Sequence, residues 1–190
     1  LSAAAPAALA RTAFQDGPAA GPDADLVEAL DAAFMEAART SPETLTGLGL
    51  KERYGELDDY TPQGAADALA LAERQTADIL ARFGQADLSE QGQLSLRLLA
   101  DGLAQQQRLF RYRNHQYLIT KAGSVMSGLP VMLMNQHSVA DTSDARAYIS
   151  RLTAARRVMN EVATEFRARA EAGFAPPALT YQPNLTTGRA

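Results

Sequence analysis

Apolar side chains along this sequence recur at three- and four-residue steps, and no segment pairs a two-residue alternation with turn signals at its ends. That periodicity predicts helices and argues against a sheet. From Leu26 the steps run through Leu30, Ala33/Phe34 and Ala37, with Asp23 or Asp25 available to cap, and the helix is expected to reach about Arg39. A short helical piece follows, capped by Ser41 with Pro42 at its first position, where proline has no N–H to leave unpaired. Thr61 and Pro62 repeat the device ahead of Leu69, Ala72, Thr76, Ile79/Leu80 and Phe83, and a left-handed cap is expected at Gly84. Ser89 starts a further helix marked by Leu94, Leu98/Leu99, Leu103 and Phe110. The longest periodic segment carries Ala145, Tyr148/Ile149, Leu152, Ala155, Met159, Val162 and Phe166, is capped by Thr142 or Ser143, and should stop near Gly173 ahead of Pro176 and Pro177. The expected fold is all-α, a multi-helix bundle with an irregular apolar connector before a long last helix.

The connector is the unusual part. Between Lys121 and Asp141 the chain carries no charged side chain. Residues 128–139, GLPVMLMNQHSV, mix Gly and Pro with apolar and polar residues, and a buried, non-helical or broken-helix path is expected there, with Asn135, Gln136 and His137 satisfying backbone groups that no regular element satisfies. With 190 residues, 46% of them hydrophobic and 21% charged, one domain is the default. The division expected is an Ala/Pro/Gly-rich flexible lead-in over 1–24, a helical domain over 25–175 and an extended tail over 176–190. Ala8-Leu9-Ala10 has the form of a secretory cleavage site, without the basic and apolar regions that give such a site meaning.

Composition removes several function classes. A net charge of −4 offers no basic field for nucleic acid, and no window is apolar for the roughly 20 residues that a membrane span takes. There is no cysteine, so disulfides, thiolate catalysis and Cys-based zinc sites are all excluded. The two histidines, His115 and His137, form no His-Glu-x-x-His segment; His137 and Asp141 are four apart, but Asp141 lies where the chain approaches a cap. No metal site is expected in this chain. Ser41, Thr61, Ser89 and Ser143 are read as caps rather than nucleophiles, and the adjacent Asp58 and Asp59 as residues serving a helix dipole. Met126, Met132, Met134 and Met159 suit core filling better than a peptide groove.

Four residues remain as structural or groove-lining candidates: Asn135, Gln136, His137 and Arg151. Arg151, three after Tyr148 and four before Ala155, projects along the side its neighbours bury, where a guanidinium needs a carboxylate, carbonyls or a bound anion. An ion pair is favoured over a ligand. His137, at the end of an apolar run, reads as a hydrogen-bonded joint rather than a reacting group.

LTGLGLKERYGELDDYTPQG, then YRNHQYLITKAGSVMSGLPVMLMNQHSVADTSDARAYISRL, then RARAEAGFAPP, in that order, resemble the N-terminal portion of the bacterial family known as domain of unknown function 885, from about Phe34 to Pro177. The most specific run is Gly128-Leu-Pro130, His137, Asp144-Ala145, Tyr148-Ile149, Arg151-Leu152 and Gly173 before Pro176-Pro177. The resemblance implies a large helical protein, often exported to the periplasm or cell envelope, that looks like a zinc metallopeptidase. A His-Glu…Pro-Gly-His segment further along such a protein would supply the metal ligands and the general acid/base. That segment is not in this sequence, so no catalytic residue is carried over, zinc is expected only in the downstream half, and the chain is expected to be inactive alone. Its expected partners are that C-terminal half or a second chain, with a peptide as substrate. The alternative is a free-standing helical binding or scaffold module of the cell envelope.

Overall fold

The computed structural model describes residues 21–120 and 123–181. Of the lead-in expected over 1–24 and the tail expected over 176–190, residues 1–20 and 182–190 lie outside the described residues; the described ends are a helix that already starts at Pro22 and a 3-10 turn at Ala178–Thr180. Among the described residues six α-helices follow in order: α1 (Pro22–Thr40), α2 (Pro42–Gly47), α3 (Pro62–Phe83), α4 (Glu90–Arg111), α5 (Val125–Asn135) and α6 (Thr142–Glu171), with 3-10 turns at Arg113–His115 and Ala178–Thr180. An isolated bridge between Ile119 and Ser124 apart, no extended pairing occurs among the described residues. The fold is all-α, as the periodicity predicts, and none of the described helices is long and apolar enough to cross a membrane.

The capping chemistry shows where local sequence acts directly. Ser41 Oγ accepts from Thr44 N–H, Thr61 Oγ1 from Gly64 N–H and Ser89 Oγ from Gly92 N–H. At α6 the expectation of Thr142 or Ser143 is corrected. Asp141 is the cap, and its Oδ1 accepts from both Ser143 N–H and Asp144 N–H, which a carboxylate does better than a hydroxyl because it has more lone pairs and suits the positive end of the helix dipole. No side chain caps α1; Asp23 instead accepts from the N–H and hydroxyl of Ser89 and ties α1 to the start of α4. Gly84 ends α3 in right-handed rather than left-handed geometry, at φ −62°. The left-handed cap is at Gly173, φ 89°, where Gly173 N–H reaches Ala170 O and Phe174 N–H reaches Arg169 O to close α6.

Two apolar cores result. Leu26, Ile79, Phe83, Leu88 and Leu96 join α1, α3 and α4, while Leu57, Leu129, Met132, Leu133, Val158 and Val162 join α5 and α6 to the segment after α2. The connector departs from expectation here, because residues 125–135 are helical with Pro130 inside. Leu129, Met132 and Leu133 fall at i, i+3 and i+4, and burying that side against α6 outweighs the backbone bond that Pro130 cannot donate; Pro130 itself is solvent-exposed. The seam of α6 is also rotated from the one its apolar residues suggest. Asp144, Arg151, Val158 and Val162 are buried, whereas Ile149 and Leu152 face out at 62% and 52% exposure.

Two glycines of α4 separate helix propensity from packing. At Gly92 an added Cβ would run into the Asp23 carboxylate, whereas at Gly102 it would meet nothing within 4 Å. Gly102→Ala should therefore stabilise the fold by up to about 1 kcal/mol through propensity alone. Gly92→Ala should give a net loss by displacing Asp23 from Ser89. Urea unfolding of both variants checks the contrast, and equal gains would show that the Asp23 contact is immaterial.

Candidate functional site

The largest fully buried side chain among the described residues is Arg151, at 0% exposure. The helical step that puts it between Tyr148 and Ala155 aims it inward, and three chain segments supply its acceptors. Nε donates to Glu56 O at 2.8 Å, and Nη2 to Pro42 O at 3.1 Å and Thr46 Oγ1 at 2.6 Å. Nη1 lies 3.0 Å from His137 Nδ1 and 3.8 Å from Met132 Sδ. Each of the five N–H groups thus has an acceptor, and the Tyr54 ring lies 5.2 Å from the guanidinium carbon. Among the described residues no carboxylate touches it. The expected ion pair is therefore replaced by neutral acceptors, chiefly carbonyls of α2 and of the segment after it. Such groups spread the positive charge without the cost of desolvating an anion beside it.

His137 fits this geometry in one tautomer. An arginine has no lone pair to offer, so Nδ1 must be the acceptor; Nε2 then carries the proton and donates to Asp144 O at 3.2 Å. The ring stacks on Tyr54 with centroids 4.0 Å apart and meets Tyr148 edge-on at 5.2 Å. Burial pushes the imidazole below its usual pKa, and the Arg151 charge adds to this against the opposing Asp144 carbonyl. The Asp144 carboxylate turns elsewhere, to Lys51 Nζ at 2.6 Å and Ala140 N–H at 2.8 Å, and these bonds hold it below the usual carboxylate range. Tyr54 closes the joint by donating from its hydroxyl to Ser138 O.

The acids nearest this centre are not in contact with it. Glu43 and Asp58 each accept from the other's backbone N–H, Ser41 donates to Asp58 and Tyr60 donates to Glu43. Burial and then the neighbouring Asp58 raise the Glu43 pKa, while the Arg151 charge opposes the shift. This acidic pair compensates the buried guanidinium at longer range, a structural role that accounts for two adjacent carboxylates without a ligand.

Of the four sequence candidates, the structure brings Arg151 and His137 together and leaves the other two apart. Asn135 and Gln136 are solvent-exposed, and neither side chain makes a hydrogen bond among the described residues, so they do not satisfy backbone groups as expected; the chain is helical there and satisfies its own. Gln136 does line a cleft of about 570 Å³ between α2 and α5, with Glu43, Leu48, Tyr60, Val125 and Met132. Met132 is buried and Met134 is 70% exposed, so the methionines share no groove. Asp141 is occupied as a cap. Among the described residues no three His, Asp or Glu side chains are placed to hold a metal ion. Sequence reading did not anticipate Thr46, Tyr54 and the Lys51–Asp144 pair. Only a polar residue in the short α2 hinted at Thr46, and nothing local signals a partner some hundred residues away.

Residues 42–187 match the sequence pattern of the family described as bacterial protein of unknown function (DUF885). The chain belongs to this family. No curated protein and no solved structure matches it. The DUF885 match contains the whole Arg151 centre, from Pro42 in α2 to Arg151 itself.

Arg151→Ala should lower stability by about 3–5 kcal/mol, because two carbonyls, a hydroxyl and an imidazole lose their donors in the interior. Arg151→Lys should also destabilise, since three donors on a point charge cannot reproduce a five-donor fork. Guanidinium chloride unfolding of both variants measures it; a loss below about 1 kcal/mol for Arg151→Ala would mean that the side chain reaches solvent.

Proposed function

We propose that this chain is the N-terminal helical part of a peptide-hydrolysing, zinc metallopeptidase-like protein, in which it serves as scaffold and carries no catalytic group. What supports this is the resemblance already drawn from the sequence, whose runs fall within the residues 42–187 that match the DUF885 family. The observation that carries the scaffold role is the way the buried polar groups are used. Arg151 has all its donors engaged, His137 has both ring nitrogens engaged, and Asp144 is committed to Lys51. A general acid, base or nucleophile needs a free reacting atom facing substrate, and these groups offer none.

The residues described do not fit a zinc ion. His137 has no free lone pair, and His115, packed against the rings of Tyr112 and Phe174, belongs to no group of three ligating side chains among the described residues. On this reading zinc and the reacting groups belong to the His-Glu segment of the downstream half, and the protein is exported. The contact surface for that half would be apolar. The outer side of α4 shows Leu94, Leu98 and Leu109 to solvent, with Tyr112 just past its end, and α5 shows Val131 and Met134. Apolar groups gathered along one helix side commonly mark a contact.

The test compares this chain with the complete product of its parent reading frame, by metal analysis after dialysis against a weak chelator and by hydrolysis of a mixed fluorogenic peptide set. The expected outcome is zinc and cleavage in the complete product and neither in this chain. Stoichiometric zinc or cleavage in this chain would refute the scaffold role. A complete product with neither would replace the peptidase reading with the free-standing binding or scaffold module.

A further inference from the structure

We propose that His137 is an acid-released latch, a neutral imidazole that holds the exit of α5 and the entry of α6 onto the buried Arg151, and lets go when it takes up a proton. The geometry carries this independently of the peptidase reading. The Arg151 guanidinium is a permanent donor with no solvent to turn to, and Nη1 is 3.0 Å from Nδ1. A proton on Nδ1 would set donor against donor and cation against cation at that distance, inside the protein. Neither partner has another course: the remaining arginine donors are held by Glu56, Pro42 and Thr46, and Nε2 is held by Asp144 O.

The charges facing the imidazole do not rescue the protonated form. From α6 come Arg151, the Asp144 carbonyl and the edge of Tyr148; from the segment after α2 come the face of Tyr54 and, through Asp144, Lys51. From α2 come only neutral contacts to Arg151, with Glu43 hydrogen-bonded to Asp58 and Tyr60. Among the described residues the carboxylate that favours the imidazolium is Asp144, and it is bound to Lys51 and Ala140 N–H. Burial and the Arg151 charge both oppose the imidazolium.

The direction with pH follows. The closed form holds His137 below its ordinary pKa and the open form lets it titrate near about 6.5, so the open form binds more protons. The closed joint is fully stable above about pH 6.5 and weakens as pH falls. The open-to-closed ratio should rise about fivefold over the first pH unit below that value and approach about tenfold per unit further down, until the closed form itself protonates.

Two measurements on the full chain test the latch. Hydrogen exchange corrected for intrinsic rate, followed by mass spectrometry over peptides spanning 129–144, should show the open fraction rising about fivefold from pH 6.5 to 5.5. His137→Asn keeps an acceptor oxygen towards Arg151 but does not titrate there, and should abolish the rise, whereas His115→Asn should leave it unchanged. Equal pH dependence in wild type and His137→Asn overturns the proposal. Should His137→Asn not fold, NMR titration of the wild-type imidazoles decides alone. The latch requires His137 to gain its proton together with loss of the native Arg151 Nη1–H resonance; protonation near an ordinary histidine pKa with that resonance intact overturns it.

Discussion

A guanidinium without contact to water and without contact to a carboxylate is the constraint around which this fold is arranged. Arginine cannot shed its charge, so the interior must satisfy five N–H groups at once, and only atoms held at fixed positions can do so. Here they come from α2, the segment after it, and the exit of α5. The first two of these segments are distant in sequence from α6, with Pro42 109 residues away from Arg151. The centre therefore acts as a long-range staple: it forms only when the chain is folded throughout this region, and each contributor is held by the others.

The surroundings are graded to suit. Neutral carbonyls, a hydroxyl and an imidazole lie in contact, an aromatic face lies beside them, and the Glu43–Asp58 pair stands one layer out. A carboxylate in contact would bring its own desolvation cost and would gather the charge on one side. The apolar core of Leu57, Leu129, Met132, Val158 and Val162 abuts this polar layer through Met132, whose sulfur faces the guanidinium. Polar fastening and apolar burial thus hold the same pair of helices, α5 and α6. The bonding that makes this joint firm also makes it specific to one protonation state of His137.

Function-bearing chemistry is distributed differently. The buried polar groups are spent on structure, while large apolar side chains face out along α4 and on α5 and α6. That division suits a helical part whose outer surfaces meet another body and whose inner polar groups keep it rigid. It is the physical content of the scaffold reading.

The sequence by itself determined the described helices other than α5, three of the caps and the stop at Gly173, because these depend on interactions within a few residues: three- and four-residue apolar steps, a hydroxyl reaching an N–H three positions on, a glycine free to take positive φ. It also marked Arg151 as inward-facing and His137 as bonded. Tertiary structure decided the rest. Whether Pro130 breaks the connector depended on how much α5 buries against α6; which side of α6 is inner depended on acceptors from α2 and the segment after it; and Asp23 gave up a cap of its own helix to bind Ser89 because α4 starts beside it. The neutral set around Arg151 could not be read in advance, since carbonyl acceptors look alike along a chain and only folding selects which of them meet.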